Sequence, residues 1–208
     1  DYIGLQPIVC MDCFYTSIDP SHFHVINNGQ LIKKSELTPR DITTLSKTIK
    51  KRRSVMDVGV VIGDTYFAYP RDERTVYQAY KLASMSHSDL STGRDAKKSY
   101  NLGFLYYATF ATSPSNLRNE LIDNCRTWLT LVIKDESFKG RIEEVRAKFM
   151  LYAVNIEGGR SDDAQGYLEE LEPFIEENPE SSSFKDAAFW ARGALELEKY
   201  HEKNMNRL

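Results

Sequence analysis

The apolar positions of this chain fall mostly at helical spacing. Between Ser99 and Phe110, in S-Y-N-L-G-F-L-Y-Y-A-T-F, Leu102, Gly103, Tyr106 and Phe110 mark one helix face. Tyr100, Phe104, Tyr107 and Ala108 mark a second apolar face of the same helix, expected over residues 94–112. A helix apolar on two faces needs neighbours on both. Gly103 costs that helix about 1 kcal/mol of propensity against Ala, so its expected use is to let another helix come close.

Further helices are expected on either side. Thr38-Pro39-Arg40-Asp41 reads as a start: Thr38 caps, Pro39 takes the first helical position, and Asp41 faces the exposed amides. Ile42, Leu45 and Ile49 then follow one face to about Lys51 and leave Lys47, Lys50 and Arg52 largely outside. Asp72 or Glu73 opens a helix carrying Val76, Tyr80 and Ala83 to about Met85, followed by a polar connection from Ser86 to Gly93. Ser113-Pro114 starts the next, with Leu117, Leu121, Cys125, Trp128, Leu129 and Val132 on a broad face. After a polar turn over 135–140, Ile142, Val145, Phe149, Tyr152 and Ile156 continue the pattern until Gly158-Gly159 ends it. Ser161 is expected to cap a helix built on Ala164, Leu168, Leu171 and Ile175, kinked by Pro173, and a last helix spans Ala187 to Leu197.

Two stretches depart from this spacing. Residues 54–69 are rich in β-branched and aromatic side chains and look locally like a strand, but their position between helices favours a buried helix with Gly59 and Gly63 at close contacts. In residues 1–32, Asn28-Gly29 between His24–Asn27 and Gln30–Ile32 suits a tight hairpin, and an irregular arm fits the composition equally well. The expectation is an all-α fold of antiparallel helix pairs, an irregular array or bundle over residues 36–204, preceded by an irregular or hairpin arm over 1–35.

Tyr-Asn-Leu-Gly-Phe-Leu-Tyr-Tyr at 100–107 resembles the first helix of a tetratricopeptide repeat, with Leu102, Gly103 and Tyr106 at the motif's Leu-Gly and Tyr positions. Ala164, Leu168 and Leu171, followed by Pro179, resemble its second helix, and Ala191, Gly193 and Ala194 supply small residues for a further close contact. The resemblance spans roughly residues 95–200 and lacks the strict 34-residue period. It implies a non-enzymatic scaffold or adaptor that holds a peptide or protein partner on a concave face.

Charge adds a polarity to the chain. Eight basic residues lie between Lys33 and Arg53 against Glu36 and Asp41, and nine acidic residues lie between Glu157 and Glu180 against Arg160. These ends suit different partners, or each other in a homo-oligomer; the plain alternative is two solvated helix faces. A net charge of −3 and the absence of aromatics within the basic run argue against nucleic acid. No apolar run approaches the ~18 residues of a transmembrane segment. Three cysteines and no glycosylation sequon lean towards a reducing, cytoplasmic setting, with a bacterial export compartment as the alternative.

Catalytic chemistry finds little footing. Cys10-Met11-Asp12-Cys13 has zinc or redox spacing, but a structural zinc site needs two more ligands, from Cys125 and His22 or His24, and ordinary half-buried thiols are the simpler reading. His87 beside Asp89 has no nucleophile elbow to serve. Gly59 and Gly63 lack the Lys-Ser/Thr ending of a phosphate loop. No metal, cofactor or catalytic residue is therefore assigned. The aromatic content is the more pointed feature: Tyr77, Tyr80, Tyr100, Tyr106 and Tyr107 are the expected anchors of a partner groove, with Lys47, Lys50, Lys51 and Arg52 as its charged contact surface. A small-ligand carrier using the same groove, or an enzyme with loop-borne residues, is the alternative.

Overall fold

The computed structural model describes residues 7–56, 66–68, 71–90, 96–113 and 118–173, with 192–194, 196, 197 and 199. The protein is mostly helical, with a few short strands. Its contacts divide the chain into two compact units, Asp1–Gly93 with Ala111–Ser113, and Arg94–Phe110 with Pro114–Leu208.

The first unit opens with two small hairpins. β1 (Ile8–Val9) pairs antiparallel with β2 (Thr16–Ser17), and the turn between them holds Cys10 and Cys13. β3 (Val25–Asn27) pairs with β4 (Gln30–Lys33) through Asn28-Gly29. Both turn residues have positive φ, +47° and +76°, as a two-residue turn that follows strand twist requires. The hairpin reading of this segment is therefore the one the chain adopts.

α1 (Pro39–Lys47) starts where the sequence indicates. The Thr38 hydroxyl accepts the Asp41 amide at 3.2 Å, and the Asp41 carboxylate accepts the Thr38 amide at 2.9 Å. Thr48, with φ −104° and ψ 8°, separates α1 from α2 (Ile49–Arg53). α3 (Glu73–Leu90) is longer than the expected helix, because residues 86–90, read as a polar connection, remain helical. Two tertiary contacts explain this: the Ser86 hydroxyl is buried and accepts the Thr16 amide at 3.1 Å, and Asp89 pairs with Arg52. β2, α1 and α2 all pack on α3. Phe14, Met56, Phe67, Ala79 and Leu82 form the core of this unit. The expected helix over 54–69 lies largely outside the described residues.

The second unit is a run of helices. α4 (Ala96–Thr112) buries Leu102, Leu105 and Phe110, and α5 (Arg118–Ile133) packs on it through Leu129. A single 3-10 turn at Glu136–Phe138 leads into α6 (Ile142–Glu157), then α7 (Ser161–Leu171). Arg118 at the start of α5 meets Glu157 at the end of α6 at 3.1 Å, so these two run antiparallel. Lys148 on α6 reaches Glu170 near the end of α7 at 2.9 Å, which makes that pair antiparallel too. α7 begins at Ser161 after Arg160, and no side chain caps it; the expected serine cap is absent, since Ser161 is already the first helical residue. Ala194 is fully buried with Tyr152, Leu168 and Leu171.

Candidate functional site

The sequence-derived contact residues divide between the units. Tyr77 and Tyr80 stand on α3, and Tyr100, Tyr106 and Tyr107 on α4. Tyr80 is 5% exposed and so belongs to the interior rather than to a contact surface. Tyr77 is half-buried beneath the Lys81 ammonium, which lies 5.8 Å from its ring centre. Tyr100, Tyr106 and Tyr107 are half-buried against the core that joins α4, α5 and α6. Tyr107 meets Phe149 edge-on at 6.4 Å, and burial raises the Tyr100 phenol pKa above its usual value.

The basic surface keeps Lys47, Lys50 and Lys51 exposed but loses Arg52. That guanidinium is fully buried, contrary to its expected outward position. It donates to the Leu45 carbonyl at 2.6 Å, to the Thr48 hydroxyl at 2.6 Å, to the Cys13 carbonyl at 3.1 Å and to Asp89 at 3.2 Å. A planar five-donor fork suits such a junction, and a run of basic letters gives no sign of it. Asp89 also faces Lys51 at 3.6 Å, so its charge serves α2.

A surface the sequence did not single out lies on β3–β4. Ile26 is 65% exposed, Leu31 58% and Ile32 62%, with Val25 beside them at 45%. Ile26 and Leu31 face each other directly across the ladder. Lys33, Lys34 and Arg40 are exposed near its base, and Ile42 is exposed on α1. The missing signal is alternation: V-I-N and Q-L-I-K carry adjacent apolar residues and no polar face to mark.

The two thiols of the β1–β2 turn sit together, each half-buried. The Cys10 carbonyl accepts the Phe14 amide at 2.8 Å, and the Cys10 amide donates to the Tyr15 carbonyl at 2.9 Å. A hydrogen bond from the Cys13 thiol draws the Cys10 thiol down to about 6 against the effect of burial, aided by the amides of Cys13 and Asp12. Cys13, the donor in that bond, is pushed up. The other ligands weighed for a zinc site are placed differently. Cys125 is fully buried in the second unit, and burial pushes its thiol up. His22 Nδ1 lies 2.7 Å from the Tyr15 hydroxyl and 3.0 Å from that of Ser17, and His24 Nδ1 accepts the Ser35 amide. Among the described residues no helix is long and apolar enough to cross a membrane.

Comparison with protein-family models, with curated proteins and with solved structures gives no match.

Proposed function

We propose that this chain is a protein-binding adaptor and that its main contact surface is the β3–β4 hairpin with the lysines around it. The observation that carries the reading is the exposure of Ile26, Leu31 and Ile32, each more than half open to solvent on a two-stranded sheet. Ile26 and Leu31 share one face of the ladder and Ile32 stands on the other, and exposed apolar side chains rimmed by polar groups are the usual mark of an interaction site. Among the described residues each of these strands pairs only with the other, which leaves an outer edge that an extended partner segment can join. Lys33 and Lys34, exposed on and beside β4, call for acidic residues beside the apolar ones in that partner, and Lys47, Lys50 and Lys51 are proposed as a further charged contact on α1 and α2. On the helical units the proposed contacts are Tyr77, Tyr100, Tyr106 and Tyr107. The helix pairs α4–α5 and α6–α7 are proposed to stack in tetratricopeptide-like fashion, a reading supported by the close approach of Gly103 on α4 to Leu129 on α5.

The test is affinity capture from the source cell with the wild type beside an Ile26→Asp, Leu31→Asp double variant. The expected result is loss of the main partners with the variant while its circular dichroism stays unchanged. Capture of the same partners by both proteins overturns the hairpin assignment. Binding of the wild type to anionic vesicles, with no protein partner recovered, overturns the adaptor reading in favour of a lipid surface.

A further inference from the structure

The proposed contact surface leaves the Cys10–Cys13 turn unused, although it sets two thiols side by side on one tight loop. Two main-chain bonds close that loop: the Cys10 amide donates to the Tyr15 carbonyl at 2.9 Å, and the Phe14 amide donates to the Cys10 carbonyl at 2.8 Å. The chain leaves the loop through Phe14 at φ +55°, a conformation rare for a bulky residue. The turn is held there from three sides. Phe14 is buried with Met56, Phe67, Ala79 and Leu82, Arg52 grips the Cys13 carbonyl at 3.1 Å, and Thr16 is tied to Ser86. The two thiols are thus preorganised on a rigid turn with their mouth half open to solvent.

We propose that Cys10 and Cys13 form a binding site for a thiophilic divalent cation, zinc foremost, which both sulfurs ligate as thiolates. Binding releases the two thiol protons to solvent and makes two metal–sulfur bonds, with no change of oxidation state. Zinc takes four ligands in tetrahedral array. Among the described residues no group of three or more His, Cys, Asp and Glu side chains is assembled, so the remaining positions are completed from outside the pair. A second copy of the turn would complete them with two further thiolates.

The experiment uses the full chain, reduced, stripped with a chelator and titrated anaerobically with Co²⁺ and then Zn²⁺. The expected result is a thiolate-to-cobalt charge-transfer band that Zn²⁺ abolishes. Cys10→Ser and Cys13→Ser should each weaken uptake at least tenfold, and Cys125→Ser should leave it intact. In parallel, Zn²⁺ should slow iodoacetamide alkylation of Cys10 and Cys13 in the wild type at least tenfold, read by peptide mass spectrometry; this needs no variant to fold. Native mass spectrometry then counts the cations. One per chain and one shared by two chains both support the site, and they separate ligands of the same chain from those of a second copy. Absence of the band together with unprotected thiols overturns the proposal, as does a band equally strong in the Cys10→Ser and Cys13→Ser variants.

Discussion

Gly103 on α4 faces Leu129 on α5 so closely that a Cβ built on the glycine would lie 2.6 Å from Leu129 Cδ2 and 2.9 Å from Cγ. Leu129 is fully buried within the core of the second unit, so its side chain has to shift against packed neighbours. Gly103→Ala gains about 1 kcal/mol of helix propensity but forces overpacking of about 1–3 kcal/mol, so a net loss of roughly 1 kcal/mol is expected. In a Leu129→Ala background the same substitution should become stabilising, since the obstructing carbons are gone. Urea unfolding of the four proteins checks the sign change, and a simple sum of the two single effects would contradict the contact.

Arg52 joins α1, α2, α3 and the thiol turn from a fully buried position, with Asp89 only 8% exposed beside it. Arg52→Met removes the buried member of the pair, leaves Asp89 only the exposed Lys51 at 3.6 Å, and unpairs the acceptors at Leu45, Thr48 and Cys13, a change that costs about 3 kcal/mol. Arg52→Lys should recover little of this, because one ammonium cannot reach four acceptors in a plane. Chemical denaturation gives the measurement, and a loss below about 1 kcal/mol for Arg52→Met would show that the junction is not needed.

The start of α1 should carry a pH signature. The hydroxyl and amide of Thr38 hold the Asp41 carboxyl below its ordinary value. A carboxylate with a depressed folded-state pKa contributes stability that is fully present above its unfolded value, near 3.9, and is lost as pH falls through the folded value. Thr38→Ala should therefore destabilise α1 by about 1 kcal/mol at neutral pH. The difference from the wild type should shrink on acidification below about pH 4. Thermal melts at neutral and acid pH test this, and a gap that widens in acid would refute the assignment.

Gly29 sits at φ +76° with nothing within 4 Å of a built Cβ, so Gly29→Ala meets backbone strain and no clash. That strain is about 1–2 kcal/mol and falls on a hairpin whose strands are exposed along their length. The expected outcome is faster amide exchange in Ile26 and Leu31 with the global melting temperature unchanged. A lowered global melting temperature would mean that the hairpin is part of the cooperative core.

Where structure follows from neighbours in sequence, the chain was readable. Thr38, Pro39 and Asp41 act within one turn, and the spacing around Gly103 names its own face. Ser86, Asp89 and Arg52 are misleading for the opposite reason: each side chain is polar and buried, and the partners that make burial tolerable stand 37 to 70 positions away or more locally across a helix junction. Polar letters report solvent only when no distant partner exists. Strands of two residues such as β1 and β2 are too short to show a period, so the thiol turn was visible as a spacing but not as a shape. The tyrosines show the converse limit: pattern places Tyr80 and Tyr106 on helix faces, and burial alone tells which face is interior.

Phe14 occupies a backbone conformation for which glycine is the ordinary choice, and it spends its side chain in the middle of the first unit. A glycine there would leave the sulfur-bearing loop as an appendage, free to change state unnoticed. The aromatic ring instead works as a peg, so whatever happens at the two sulfurs alters the fit of a residue touching Met56 and Leu82. Events at that small loop should thus be legible as shifts in the heat resistance of the whole unit.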